Sequence, residues 1–355
     1  MTSWQTVPMG ELCSISSGKS DTKDAVPDGP YAFFDRSKSI KRSSRFLRDC
    51  EALIIPGEGA EFLPRHFVGK FDLHQRAYAL FDFSPRLEVK FLYHYLHHVA
   101  DYFPRVAVGA TVKSLRLRHF EQLPVRLTDP AAQRRIVAIL DEAFEGIATA
   151  KANAEKNLRN ARELFASRVK STFANPGDGW VECALGSVCE MYQPKTITGK
   201  DLVEDGPYPV YGANGVIGRF TAFNHEEAEV LVTCRGATCG SINISEPRSW
   251  VTGNAMVVRP LNGSLDKAFL EHLLRNGVDL SPAITGAAQP QITRTNLSPL
   301  MITFPTSVSE QRDLTASFDE LQSAADSLYD VNARKLAALD ELKKSLLHQA
   351  FSGAL

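Results

Sequence analysis

The sequence predicts a mixed α/β fold, α+β-like in the grouping of its elements and built twice. Two globular modules are each followed by a long helix, and the two helices pair as an antiparallel coiled coil within a pseudo-two-fold internal repeat. Three observations carry this prediction. The chain resembles itself at a nearly constant offset, each half opens with short β-rich runs between Gly, Pro, Asn and Asp clusters, and each half closes on a sustained helical seam.

The repeat is visible residue by residue. Trp4 to Gly10 (WQTVPMG) matches Trp180 to Gly186 (WVECALG) at an offset of 176. Asp28-Gly29-Pro30-Tyr31 matches Asp205-Gly206-Pro207-Tyr208 at 177, as Gly109-Ala110 matches Gly286-Ala287. From Gln133-Arg134 onward the offset is 178, pairing with Gln311-Arg312, Asp141-Glu142 with Asp319-Glu320, Glu163-Leu164 with Glu341-Leu342, and Phe173 with Phe351. A drift of two residues leaves little room for insertions, so the halves arose by duplication.

Four segments follow in order: module 1–127, helix 128–176, module 177–306 and helix 307–355. Within the modules, Ala52-Leu53-Ile54-Ile55, Ala77 to Phe83, Val230 to Thr233 and Ala255 to Arg259 read as strands that stop at turn residues. Near the end of each module one helical stretch is expected, Glu88 to Tyr102 and Leu265 to Asn276.

The long helices follow from a seam. Ile136, Leu140, Ala143, Ile147, Ala150, Ala154, Leu158, Ala161, Phe165 and Val169 step by three or four, as do Leu314, Phe318, Leu321, Ala325, Leu328, Val331, Leu339, Leu342 and Leu346. Asp129-Pro130 supplies a cap and a first-turn proline, and Ser307-x-x-Glu310 a capping box. At about 1.5 Å per residue, some 40 residues span roughly 60 Å, more than one module can cover. The helices therefore pair with each other as a rod that holds the modules apart.

Composition narrows the function. The longest apolar runs are strand-sized and no residue stretch approaches the roughly 20 needed to span a bilayer. Met1 to Gly10 lacks the basic start and apolar stretch of a leader, so a cytoplasmic protein without membrane contact is expected. Cys13, Cys50, Cys183, Cys189, Cys234 and Cys239 form no CxxC and read as reduced core thiols. His94, His97 and His98 share one helix without an evident carboxylate partner and read as helix surface; no metal and no cofactor is expected. Net charge is −1, but it is unevenly spread: +4 over 1–127, +2 over 128–173, −4 over 174–306 and −3 over 307–355. Phosphate contacts must then come from local clusters.

Two non-identical modules on a rigid spacer suit a bipartite, asymmetric site on double-stranded DNA, where the distance between readers sets the gap between half-sites. Several phrases carry a family resemblance along nearly the whole chain. Tyr208-Pro-Val-Tyr-Gly-Ala-Asn-Gly-Val-Ile-Gly218, Gln289-Pro-Gln-Ile-Thr-Arg-Thr-Asn-Leu297, Leu342-Lys-Lys-Ser-Leu-Leu-His-Gln-Ala-Phe-Ser-Gly353, Gly57-Glu-Gly-Ala-Glu-Phe-Leu63 and Leu73-His-Gln-Arg-Ala-Tyr78 are similar to segments of the specificity subunits of type I restriction-modification enzymes. The resemblance implies two target recognition domains that read DNA. It implies helices that bind two methyltransferase subunits of an adenine-methylating complex, restriction subunits that join them, and no catalysis by the chain itself. The motifs agree: there is no Walker A loop, no glycine-rich S-adenosylmethionine motif and no Asn-Pro-Pro-Tyr, to which Asn175-Pro176-Gly177 is the nearest approach. A duplicated protein-interaction scaffold or decoy on the same frame is the alternative.

Phosphates call for cations, and base edges for forked donors and amides. In the first module Arg36, Lys38, Lys41, Arg42, Arg45 and Arg48 fall within 13 residues. Arg65 and Arg76 flank the central strands, and Lys113, Arg116, Arg118 and His119 form a second run before the helix. The acidic second module offers Lys195, Lys200, Tyr211, Asn214, Arg235, Asn254, Gln289, Gln291 and Arg294. Among these, Tyr211 and Gln289 lie in phrases shared across the family and suit packing as well as reading.

Overall fold

The computed structural model describes residues 4–286 and 289–355. Met1 to Ser3 of the opening segment and Ala287, half of the second Gly-Ala pair, lie outside them. The chain forms two compact units, Met1–Ala154 with Arg334–Leu355, and Glu155–Ala333. Each unit takes one module, the half of the long helix on that side, and half of the other long helix.

The first unit is built on a six-stranded sheet in the order Ser14–Ser17, Ala77–Phe81, Arg48–Pro56, Arg65–Leu73, Tyr31–Phe34, Lys41–Ser43. All neighbours run antiparallel except Tyr31–Phe34, which is parallel to Arg65–Leu73. The run Ala52 to Ile55 is central and buried on both faces, which is why it reads as continuous rather than alternating apolar sequence. Because strand side chains alternate, Leu53 and Ile55 join the core around Phe91 and Leu92, while Ala52 and Ile54 face Phe34 and Phe71. Gln5–Pro8 pairs with Pro124–Leu127 and ties the start of the chain to the approach of the first long helix.

The second unit splits the same material into two main sheets, Cys189–Tyr192, Ala255–Pro260, Val230–Thr233, Ile242–Ile244 and Gly215–Phe220, Tyr208–Gly212, Trp250–Val251. Trp180–Ala184 pairs with Met301–Pro305, as its counterparts pair in the first unit. The module helices are shorter than their periodicity suggests. Val89–His98 stops before a separate turn, Tyr102–Val106, and Lys267–His272 relaxes into a π-turn over Leu273–Gly277.

The long helices run Pro130–Ala174 and Val308–Ser352, 45 residues each. Asp129 caps the first through the Ala132 N–H at 2.9 Å. At the second, Ser307 accepts from the Glu310 N–H at 3.3 Å, but the Glu310 carboxylate accepts the Trp180 indole at 3.1 Å, so Glu310 also anchors the module. The first seam is as expected, with Ile136, Leu140, Ile147, Ala154, Ala161 and Val169 buried. The second seam departs from expectation: Leu328 and Val331 in its middle and Leu342 in its last quarter are exposed, whereas Asn332 is buried, its amide donating to the Leu328 carbonyl at 2.8 Å. Ranking positions by apolarity selects Val331 over its polar neighbour, and packing reverses the choice.

Within the first unit the two helices run antiparallel. Lys343 lies 5.0 Å over the Phe144 ring, and about two turns further along the first helix Lys151 pairs with Asp340, about one turn earlier on the second. Phe351 then packs into the module core 5.2 Å from Phe91 and 5.1 Å from Tyr95. In the second unit Phe173, its repeat equivalent, packs 5.8 Å from Phe269 and Phe318. Each buried ring contributes on the order of 2–3 kcal/mol.

Candidate nucleic-acid interface

The residues that the two halves share are joints. Arg42 donates to the carbonyls of Gly29 and Pro30 at 2.7 and 2.9 Å, and Arg219 holds Gly206 and Pro207 in the same way, the latter at 2.7 Å. A Cβ on Gly29 or Gly206 would strike the facing strand backbone at Ser43 or Phe220, which explains the repeated Asp-Gly-Pro-Tyr. Gly109 and Gly286 both have positive φ and would meet a carbonyl three residues on. Gln133 and Gln311 are buried and staple each long helix to its module. Gln133 accepts from the Glu88 N–H and donates to Arg86 and Thr128 carbonyls; Gln311 accepts from the Asp266 N–H and donates to Ser264 and Pro305.

His94 corrects the helix-surface reading. It is buried and hydrogen bonded to Asp141 at 2.8 Å, and His272 meets Asp319 at 3.1 Å in the second unit. The carboxylate partner lies 47 residues away on the long helix, out of reach of a local spacing search. Burial lowers the pKa of His94 and takes that of His97 down to about 4, with Lys343 and His94 adding repulsion. Cys13, Cys189 and Cys234 are core thiols, pushed up to about 12, 12 and 11 by burial, whereas Cys50, Cys183 and Cys239 are only half-buried. Among the described residues no group of three or more His, Cys, Asp or Glu is placed to hold a metal ion.

The basic cluster of the first module separates into two sets. Lys41 is half-buried against the buried carboxylate of Asp35 at 2.5 Å, which the pair and Ser37 hold in its charged form by lowering its pKa. Arg45 binds Ser20 and Asp24 at 3.0 Å each and lies 3.5 Å from buried Asp72, and Arg48 stacks 3.5 Å over Phe81. These cations, with Arg42, hold the module together. Arg36 and Lys38 are exposed; with Glu58, Leu63 and Arg65 they line one groove, and Arg65 donates to the Ser37 carbonyl. Arg76 and Arg116 line a second groove on the other side of Glu58, with Tyr78, Gly109 and Ser114. Glu58 joins the two: it takes both oxygens to Arg76 at 3.0 and 2.9 Å and lies 4.0 Å from Arg36. Lys113 is exposed, and its carbonyl accepts the Gly59 N–H at 3.0 Å.

The second module collects its candidates more tightly. The Thr233 hydroxyl donates to the Ala213 carbonyl, which fixes exposed Asn214 at the hairpin tip beside the end of the central strand. There the Cys234 N–H donates to the Asn254 carbonyl at 3.0 Å, and Arg235 bridges to Gln291. The Gly236 N–H donates to the Pro290 carbonyl at 3.2 Å, next to exposed Gln289. Lys195 joins them through the neighbouring Thr196 hydroxyl, which accepts the Gly253 N–H at 3.1 Å. Asn214, Arg235, Asn254, Gln289, Gln291 and Lys195 are exposed. Tyr211 is buried, its hydroxyl accepting the Glu246 N–H at 3.1 Å, and sits beneath this end as a support. Lys200 stands apart on the turn Gly199–Asp201, and Arg294 lines a different groove with Gly186 and Ser298.

Both module ends can therefore offer hydrogen-bond forks and amides from loops fixed on a sheet. The residue that sequence reasoning passed over is Glu58, which organises Arg36 and Arg76; its position two residues past the central strand, equivalent to Arg235, is the signal that finds it.

A family model described as type I restriction modification DNA specificity domain matches this chain twice, over residues 1–158 and 177–328. The chain is 25% identical to the type I restriction enzyme EcoDI specificity subunit of Escherichia coli over 401 residues, 99% of this chain and 88% of that one. It is 24% identical to the EcoprrI specificity subunit of the same organism over 263 residues, covering 70% and 64%. Among solved structures, it aligns with a chain from work on complex assembly and conformational transition of the type I R-M system, at a TM-score of 0.72 and 20% identity over 99% and 98% of the two chains. It aligns with the HsdS subunit of Thermoanaerobacter tengcongensis at 0.62 and 19% over 99% and 97%. These likenesses show the fold. Among the described residues no helix is long and apolar enough to cross a membrane.

Proposed function

The chain belongs to the family of type I restriction-modification DNA specificity subunits, and from that premise we propose that its two modules, 1–127 and 177–306, are target recognition domains that each read one half of a bipartite, asymmetric duplex site. The observation that carries the reading is the contrast inside the repeat. Turn glycines, capping arginines and stapling glutamines recur at equivalent positions, while the side chains presented at the module ends differ, as two half-site preferences require.

The chain acts as the non-catalytic reader of an adenine-methylating complex in the cytoplasm, and the long helices dock the partners. Leu164 and Leu342 are repeat equivalents, one in each unit, and both are exposed large apolar residues on long helices. They mark two like docking positions for two methyltransferase subunits, to which restriction subunits are added. Reconstitution tests this: the purified chain alone methylates no DNA, and with its cognate methyltransferase subunit it directs adenine methylation to one bipartite site. Methylation by the chain alone, or no site preference in the reconstituted complex, contradicts the proposal.

A further inference from the structure

The two modules build one turn with the same backbone and different side chains. In the first module the Gly57 N–H donates to the Arg76 carbonyl at 2.8 Å, the Gly57 carbonyl accepts from Leu115 at 2.8 Å, and the Gly59 N–H donates to Lys113 at 3.0 Å. In the second, Cys234 donates to Asn254 at 3.0 Å, its carbonyl accepts from Ile292 at 2.9 Å, and Gly236 donates to Pro290 at 3.2 Å. The isolated bridges Glu58 to Ser114 and Arg235 to Gln291 complete the match. Every pair is separated by 177 or 178 residues, the offset of the duplication. Three strands or loops thus clamp one turn whose central residue is half-buried Glu58 in the first module and exposed Arg235 in the second.

The clamp makes this turn suited to reading. Gly59 and Gly236 both have positive φ, and a Cβ on either would point into open space, so the backbone at the tip is free to approach another molecule closely. The flanking position is Arg76 in one module and Asn254 in the other. Arg235 is exposed and has no ion-pair partner among the described residues, so its guanidinium fork is available. Arg76 is more than half exposed, and Glu58, itself only 13% exposed, holds one of its terminal nitrogens, while Nε and Nη2 have no hydrogen-bond partner among the described residues. Arginine presented in this way suits the O6 and N7 acceptors of guanine in the major groove.

We infer that the turns 57–59 and 234–236 are the base-reading tips of the two modules, that Arg235 reads a guanine in one half-site, and that Glu58 is a positioning residue for Arg76, the corresponding reader of the other. This rests on the reading of the chain as a two-module DNA specificity subunit.

The test maps methylated sites in cells carrying the chain with its methyltransferase subunit, comparing the unaltered chain with Arg235→Ala, Arg76→Ala and Glu58→Gln. Arg235→Ala is expected to relax one G·C position of one half-site, lowering discrimination there by roughly 5- to 150-fold, with the other half-site unchanged. Arg76→Ala relaxes one position of the opposite half-site, and Glu58→Gln relaxes that same position less. An unchanged site, or a uniform fall at all sites without relaxation, overturns the assignment of these tips. Absence of any bipartite site with the unaltered chain overturns instead the reading on which the inference rests. Because Arg235 makes no internal ion pair, its removal leaves the unit folded, checked by an unchanged thermal transition.

Discussion

At the scale of single residues, charge alone does not distinguish a reader from a joint. Arg36 and Arg42 lie six positions apart, yet one lines an open groove and the other binds two backbone carbonyls of its own module. Replacing Arg42 by Ala is expected to destabilise the first unit by about 1–2 kcal/mol by leaving those carbonyls unpaired, read by chemical denaturation, and to leave the salt dependence of DNA binding by the assembled complex unchanged. Replacing Arg36 and Lys38 by Ala should do the reverse, flattening the plot of log affinity against log salt by up to about 0.9 per lost phosphate contact. A steeper or equal slope would remove that groove from the interface.

His97 gives a pH prediction at the same scale. Its folded pKa is depressed from about 6.5 to about 4, so protonation favours the unfolded state. Its contribution is fully present above the unfolded value and is lost as pH falls through 6.5 toward 4, amounting to up to about 3 kcal/mol. A His97→Leu chain should lose less stability than the parent over that window, measured by denaturation at pH 7 and pH 4.5; parallel curves would contradict it. None of this was legible in sequence, because the partners of Arg42, Arg45 and His94 lie 12 to 47 residues away.

At the scale of elements, more could be read in advance. The continuous run Ala52 to Ile55 announced a strand buried on both faces, and the caps at Asp129 and Ser307 set the starts of both long helices. The middle of the second helix departs from the apolar pattern, since Asn332 is buried there and Leu328 and Val331 lie outside. The phenylalanines that end the helices were legible as repeat equivalents but not as core residues. Phe351→Ala should destabilise the first unit by about 3–5 kcal/mol and Phe173→Ala the second by a similar amount, seen as two separate transitions shifted by different variants. The exposed leucines should act differently. Leu164→Asp and Leu342→Asp are each expected to leave the fold intact and to reduce the bound methyltransferase subunits from two to one by native mass spectrometry. Retention of two copies in both variants would place the docking surface elsewhere.

At the scale of the whole molecule, duplication with divergence is the organising fact. A charge of +4 in one module and −4 in the other accords with a first reader that leans on phosphates and a second that leans on base edges. On the proposed function the two modules read separate half-sites and the helices set the gap between them. This is tested most directly by mapping methylated sites after inserting four residues, about one helical turn, near Ala150 to Asn153 in the first helix. The same two half-sites at an altered separation are expected; retention of the parental separation with full activity would show that the helices do not set the gap.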